Sequence, residues 1–406
     1  MKQSTMYATL NSRAFTIALW IYLLPFHAQS FTSLPSRTAN YPNPILKHEP
    51  SVHSRMSMSQ PLTAIARVLP SSLVSPTVQS ATLVTLTAAV LVRLGILALD
   101  RPSRPYSKEE NSVGKEYDAW CEQGILEHLW GEHIHLGYYS TEERKRGSFR
   151  KDIIEAKYDF IDKMMDWGGV SNLIEAGDIP ERVLDVGCGI GGTSRYLAKK
   201  LGERSMIEGI TLSQKQVERA TELADQSNIK NCEFKVMDAL KMDYPDNSFD
   251  LVWACESGEH MPDKKLYVEE MTRVLKPGGR IVIATWCQRD DSVQKFTPAE
   301  EKKLDFLYSE WTHPHFISIK DYAKIMKGTG SLENIETDNW TKETIASWRH
   351  SIWMGIKDPL PWMFMCGLKL SVWLRTIKDA WCIERMHQAF KKGLMEYGMM
   401  TAVKKR

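Results

Sequence analysis

Arg182-Val183-Leu184-Asp185-Val186-Gly187-Cys188-Gly189-Ile190-Gly191-Gly192-Thr193 is the stretch on which the reading of this chain turns. A β-branched apolar run carries an Asp, and four glycines follow it. Thr193 to Leu201 then has the spacing of an amphipathic helix. Strand, glycine turn and helix in that order form a nucleotide-binding crevice. The glycines let the backbone turn tightly and approach a ligand, and the helix N-terminus favours negative charge or lone pairs. Two ligand classes compete for such a turn. Gly187, Gly189 and Gly192 fit the dinucleotide spacing G-x-G-x-x-G. That reading also wants an acid at the tip of the next strand, and the tip here is Gly209-Ile210-Thr211-Leu212-Ser213. The other ligand is S-adenosylmethionine, for which Asp185 before the glycines is typical.

Downstream of the turn, strand and helix alternate, so the sheet is expected to be mostly parallel. Met206–Ile210 reads as the second strand, and Ser213 to Gln216 as a capping box in which Gln216 reaches back to the Ser213 amide. Gln216 or Thr211 is alternatively a ribose ligand. Glu233–Met237 reads as the third strand. Asp238 at its end can accept from an adenine amino group or serve as an ordinary turn Asp. Phe249 to Cys255 is apolar enough for a buried parallel strand, and Glu256-Ser257-Gly258-Glu259-His260-Met261-Pro262 follows at its carboxyl end. Leu266 to Leu275 reads as a helix. Lys276-Pro277-Gly278-Gly279 then turns into strand five, Arg280–Thr285. Leu332–Asp338 and an antiparallel Tyr397–Val403 complete the expected strands.

Upstream, Tyr117-Asp118 opens a helical stretch running to Trp130, followed by Gly131-Glu132-His133-Ile134-His135-Leu136-Gly137-Tyr138-Tyr139. That density of His, Glu, Trp and Tyr suits a lid over a ligand, or a hydrogen-bonded structural turn. A metal reading of His133 and His135 is weak, because no further spaced ligands accompany them. Tyr117 or Trp130 is placed to lay a ring against a sulfonium cation. Phe149 to Trp167 has helical apolar spacing and reads as core.

The 406 residues hold 52 Lys or Arg and 50 Asp or Glu. Seven of those basic residues and one acid, Glu49, fall in the first 99, so the remainder is slightly acidic and speaks against nucleic acid as a partner. Residues 1–30 read as a signal peptide, with Lys2 and Arg13 before the apolar Ala14–Phe26. Residues 31–76 have the Ser, Pro and Thr content of a transit peptide. Together they are similar to the two-part address of plastids bounded by extra membranes; simple secretion is the alternative. Residues 77–112 read as an apolar leader and linker. Val78 to Leu99 has about the length a bilayer requires, with Arg93 inside it, and is either an anchor or a surface-lying or disordered leader. The folded domain is expected to span 113–406.

Val183 to Gly189, Asp238-Ala239 and Leu275-Lys276-Pro277-Gly278-Gly279, at these spacings, resemble the class I S-adenosylmethionine-dependent methyltransferases. Trp130-Gly131-Glu132-His133, Gly209 to Ser213, Glu256 to Lys264, Thr285-Trp286-Cys287 and Lys391-Lys392-Gly393-Leu394 further resemble the γ-tocopherol C-methyltransferase family, a branch that also holds indole-alkaloid N-methyltransferases. The match runs from about Glu116 to the C-terminus. A position often His in that family's lid is Leu136 here.

The resemblance implies an α/β fold: a Rossmann-like seven-stranded, mostly parallel sheet with its last strand antiparallel, an N-terminal lid and C-terminal helical insertions. It implies S-adenosylmethionine as methyl donor and a ring carbon of γ- or δ-tocopherol, ortho to the phenol, as acceptor. A phenol with a pKa of about 10 needs a base, for which His260 is the first candidate, His133 the second and Glu259 a third. The donor-binding set it implies is Tyr117, Asp185, Gly187, Cys188, Gly189, Gly191, Thr211, Leu212, Gln216, Asp238, Ala239 and Cys255. N-methylation of an amine or C-methylation of a prenyl quinol or sterol by an enzyme of the same branch, and a non-catalytic donor- or lipid-binding role, are the alternatives. Between residues 341 and 390, five Trp, several Met and Phe364 suit helix packing, a greasy substrate pocket or a membrane-facing surface, with Lys357, Lys369, Arg375 and Lys378 near lipid headgroups or solvent.

Overall fold

The computed structural model describes residues 76–406. The expected signal and transit segments, 1–30 and 31–76, lie outside the described residues save for Pro76. The apolar leader forms helix α1 (Pro76–Leu99). Among the described residues, no helix is long and apolar enough to cross a membrane. The stretch after it, expected as a linker, is bonded to the body: Arg104 pairs with Glu116, Glu310 and Asp379. Helices α2 (Ser112–Gln123) and α3 (Ile125–Trp130) follow, parted by Gly124 at φ 66°. Helix α4 (Ile153–Trp167) starts four residues later than the apolar spacing alone suggests, because the Asp152 carboxylate caps the Ile154 and Glu155 amides.

The sheet is built from β1 (Arg182–Val186), β2 (Met206–Thr211), β3 (Cys232–Val236), β4 (Phe249–Cys255), β5 (Leu275–Gln288), β6 (Leu332–Asn339) and β7 (Met395–Lys404). Their order is β3-β2-β1-β4-β5-β7-β6. Pairs among β1 to β5 are parallel, and β7 runs antiparallel to β5 and β6. Strand β5 starts at Leu275, ahead of the expected Arg280. The Lys276–Gly279 turn is absorbed as an irregularity in pairing with β4, with Gly278 at φ 80°.

Helices α5 (Gly192–Leu201), α6 (Gln214–Gln226) and α7 (Lys264–Val274) cross between the early strands. Helices α8 (Pro298–Glu310), α9 (Ile319–Gly328), α10 (Ala346–Lys357), α11 (Pro359–Cys366) and α12 (Leu370–Lys391) come from the C-terminal third. Two apolar clusters cover the sheet. One holds Val183, Trp253, Val282, Leu197 and Trp348; the other holds Leu184, Val252, Ile281, Tyr267 and Met326. Alternate residues of the same strands serve opposite faces, as the period of two requires. The chain leaves β3 at one edge and returns as β4 beside β1, so the order reverses between β1 and β4. Ligands of such sheets bind there, beyond the strands' carboxyl ends.

Candidate active site

The glycine turn after β1 lies at that reversal. Gly187 and Gly189 have φ of 82° and 55°. A Cβ on Gly187 would stand 2.3 Å from the Cβ of Ser257, so this turn and the loop after β4 touch. A Cβ on Gly189 would have nothing nearer than 3.8 Å, leaving the turn bare toward the crevice. Gly191 is different: a Cβ there would strike the Phe234 ring at 2.5 Å, so it serves packing and caps α5. Cys188 is buried, fitted into the space left by Gly209, where a Cβ would approach its side chain to 2.9 Å. Asp185 is buried and accepts from the Ser194 hydroxyl at 2.6 Å. Burial pushes its carboxyl up to about 6, against the pull of Ser194.

At the end of β2 the reciprocal capping box expected of Ser213 and Gln216 is only half formed. The Ser213 hydroxyl accepts from the Gln216 amide, but the Gln216 side chain takes the Thr211 hydroxyl at 2.7 Å instead of reaching back. Thr211 competes for it successfully because the Ser213 amide already donates to the Thr211 oxygen. The Ser213 hydroxyl donates to Asp118 of α2, which also accepts from the Lys215 amide. Leu212 beside them is half-buried. Asp238 is half-buried and accepts from the Leu240 amide, the geometry of a turn Asp, while Ala239 and Cys255 are buried.

The lid is clamped to the turn from several sides. The Glu132 carbonyl lies 2.2 Å from where a Gly192 Cβ would be, and the Glu132 carboxylate pairs with Arg195 at 2.6 Å. Lys157 is buried, donates to the Trp130 and His133 carbonyls, and stands 4.7 Å over the Trp130 ring. Lys157 thus occupies one approach to the Trp130 ring, which the sequence offered with Tyr117 as a contact for a ligand cation. Glu256 accepts from the Leu136 amide and the Tyr397 hydroxyl, both at 2.7 Å, joining lid, β4 loop and β7. Its φ is 51°, a strained conformation for a non-glycine residue.

His260 lies beyond β4 with its Nε2 3.0 Å from the Tyr117 hydroxyl. Burial pushes its imidazole down to about 3, with the nearby Lys264 adding to this and the Thr312 backbone opposing it. Its buried Nδ1 makes no hydrogen bond of good geometry. His313 stacks on it, with centroids 4.3 Å apart and planes at 13°, and both His313 ring nitrogens are buried without a partner. Trp286 and Phe316 rings complete that wall. Glu259 accepts from the Thr285 hydroxyl at 2.7 Å, and burial holds its carboxyl above the usual range. Lys264 donates to the carbonyls of Gly258, Glu259 and Met261, fixing this loop from beneath.

The structure thus brings His260, Glu259 and Tyr117 together. It sets His133 apart from them, next to the glycine turn, with its ring 4.7 Å from Tyr158 and its buried Nδ1 unpartnered. Sequence reasoning missed His313, Glu256 and Asp118 as parts of the site. Glu256 opens a motif already singled out at the end of a parallel strand. His313 sits in an insertion between α8 and α9, where no spacing announces it. A bare left-handed turn, a buried acid and an aromatic phenol nearby fit a cationic adenosyl ligand, and the stacked imidazoles fit an acceptor that must shed a proton.

Residues 180–339 match a family model described as a methyltransferase domain. The chain is 40% identical over 324 residues to the 2-methyl-6-phytyl-1,4-hydroquinone methyltransferase of Synechocystis sp., covering 80% of this chain and 95% of that protein. It is 38% identical over 284 residues to the chloroplastic tocopherol O-methyltransferase of Arabidopsis thaliana, covering 69% and 79%. Geranyl diphosphate C-methyltransferase from Streptomyces coelicolor A3(2) shares the fold, with a TM-score of 0.55 over 74% of this chain and 100% of that one, at 17% identity.

Proposed function

This chain belongs to the tocopherol methyltransferase family of S-adenosylmethionine-dependent enzymes, and on that premise we propose that it methylates a ring carbon ortho to the phenol of γ- or δ-tocopherol. S-adenosylmethionine is the methyl donor, supplying a methyl group on a sulfonium centre. Gly187 and Gly189 let the backbone approach it. Asp185 answers its positive charge and Asp238 its adenine, while Thr211 and Gln216, each other's partners in this structure, exchange that bond for the ribose. Tyr117 lays its ring by the sulfonium.

His260 takes the phenol proton. A neutral imidazole of low basicity is a poor base toward a resting phenol. It becomes competent as the carbon–carbon bond forms, because the ring turns cationic and its hydroxyl strongly acidic. Loss of the phenol proton leaves a dienone; it regains aromaticity when the ring hydrogen at the methylated carbon leaves as a proton and His260 returns its own proton to the oxygen, so one proton is released per methyl transferred. Tyr117 orients His260, and His313 offers the acceptor's oxygen a second nitrogen. Glu259, whose carboxyl burial raises above the usual range, is held by the Thr285 hydroxyl behind this wall.

The single observation that carries this reading is the Tyr117–His260 bond beside the bare glycine turn. A second acceptor, a prenylated hydroquinone, is favoured by the near-complete coverage of the Synechocystis relative. It presents the same ortho carbon and hydroxyl. Mass spectrometry of products formed from labelled donor with γ-tocopherol, δ-tocopherol, phytyl hydroquinone and an amine panel tests both. Transfer to amines alone refutes the reading, as does donor binding without transfer. The name of the Arabidopsis relative supports a plastid site of action, to be tested by fusing residues 1–112 to a fluorescent protein.

A further inference from the structure

The C-terminal third divides. Trp348 and Met386 are buried, as helix packing requires. Helix α11, the turn after it and the first half of α12 instead turn Leu360, Phe364, Leu368, Leu370, Leu374 and Ile377 to solvent, with Phe364 88% exposed and Leu368 fully so. Isolated exposed apolar residues are ordinary, but a contiguous group of this size marks an interaction surface. At its rim stand Lys357 and Lys369, with Asp358 the one acid between residues 353 and 378, while Arg375 and Lys378 turn to Glu116 and Glu310 of the body. Lys357 and Lys369 are exposed and make no ion pair among the described residues.

This surface continues into α1, whose Leu86, Leu91 and Leu94 are exposed. The foot of α1 is fastened to α12: Asp100 accepts from Trp381 and Arg385, and Lys378 donates to the Arg101 carbonyl. Trp381 is one helical turn beyond Ile377, so the foot of α1 is fixed about 6 Å along α12 from the end of that apolar face. The surface also holds the lid. Arg375 pairs with Glu116, the neighbour of Tyr117, and Met365 Cε lies 3.2 Å from where a Gly124 Cβ would be.

We propose that the α11–α12 surface, continued by α1, docks on an anionic bilayer and admits the prenylated acceptor from the membrane beneath the lid. The second half rests on the function proposed above. Charge selects the occupant. A second copy meeting this face across a two-fold axis would set its Lys residues against like charges. The chain's own residues 1–75 are basic too, with Glu49 their one acid. Anionic headgroups complement the rim while acyl chains receive the apolar side chains.

Flotation of the full chain with vesicles of phosphatidylcholine and phosphatidylglycerol, beside the double variant Phe364→Glu, Leu368→Glu, tests this. Both positions are solvent-facing, so the fold tolerates the change. Vesicle affinity is expected to fall about tenfold or more, and transfer to vesicle-embedded γ-tocopherol to fall with it. Transfer to a tail-less chromanol in free solution should stay unchanged. Equal flotation of variant and wild type overturns the proposal. So does loss of flotation confined to Leu91→Glu, or a wild-type dimer that the variant breaks while flotation persists. If flotation falls as expected but the wild type methylates no prenylated phenol, the docking surface stands and the assigned function fails.

Discussion

The hydroxyl of Tyr117 and Nε2 of His260 meet at 3.0 Å, across 143 positions of sequence. One sits on the lid helix α2, the other past the carboxyl end of β4. The bond ties the lid helix to the β4 loop. Tyr117→Phe removes the hydroxyl and leaves Nε2 unpaired while keeping the ring. The expected result is a roughly tenfold fall in kcat with donor affinity held, whereas Tyr117→Ala should also weaken donor binding by about 0.5–2 kcal/mol. Single-turnover kinetics with calorimetry separate the two.

His260→Ala should lower kcat by about 10²–10⁴ and leave donor binding nearly intact. Because burial holds this imidazole near 3, it stays neutral through pH 6.5, and no acid limb of kcat should appear at the usual histidine pKa. A limb near 6.5 that vanishes in His260→Ala would contradict the assignment.

His313→Phe keeps the stack on His260 and deletes two buried nitrogens. KM for the phenolic acceptor should rise several-fold while donor affinity holds, since the ring neighbours of His313 are His260, Trp286 and Phe316 and none belongs to the glycine turn. An unchanged KM refutes its contact with the acceptor.

Asp185 sits at about 6 when folded and 3.8 as a model group. The folded chain thus keeps this proton up to pH 6 while the unfolded chain releases it near 4. Through that window the donor-free protein holds more protons than its unfolded form, and Asp185 lowers stability by about 3 kcal/mol as pH rises across it. A cationic donor prefers the ionised form, so donor affinity should increase through pH 6. Asp185→Asn should flatten both profiles, measured by chemical unfolding and by calorimetry across pH.

Glu256→Ala strands the Leu136 amide and the Tyr397 hydroxyl, both buried acceptor-seekers. A loss of about 2–4 kcal/mol is expected, with a lowered thermal midpoint. Glu256→Gln keeps an acceptor and should lose less.

Much of this was legible in sequence because the fold's punctuation is local. Asp185 before four glycines, the apolar β4 run and the Lys276–Gly279 turn each act within a few residues, and the mostly parallel pairing follows from alternating strand and helix. Boundaries slipped where a side-chain cap intervened, as at Asp152, and where a turn was taken into the ladder as an irregularity, as at Leu275. The contacts of Trp130 and Gln216 were not legible, because each side chain had more than one partner open to it and packing chose Lys157 for one and Thr211 for the other.

The residue pattern by itself determined the sheet, its crevice and the class of donor, since hydrophobic period and backbone freedom are properties of short segments. Only the tertiary structure decided which polar groups face one another. The pairing of Tyr117 with His260, the stacking of His313, the Glu256 clamp and the apolar face around Phe364 depend on distances between remote segments. Those distances are set by how helices pack on the sheet, and no local spacing encodes them.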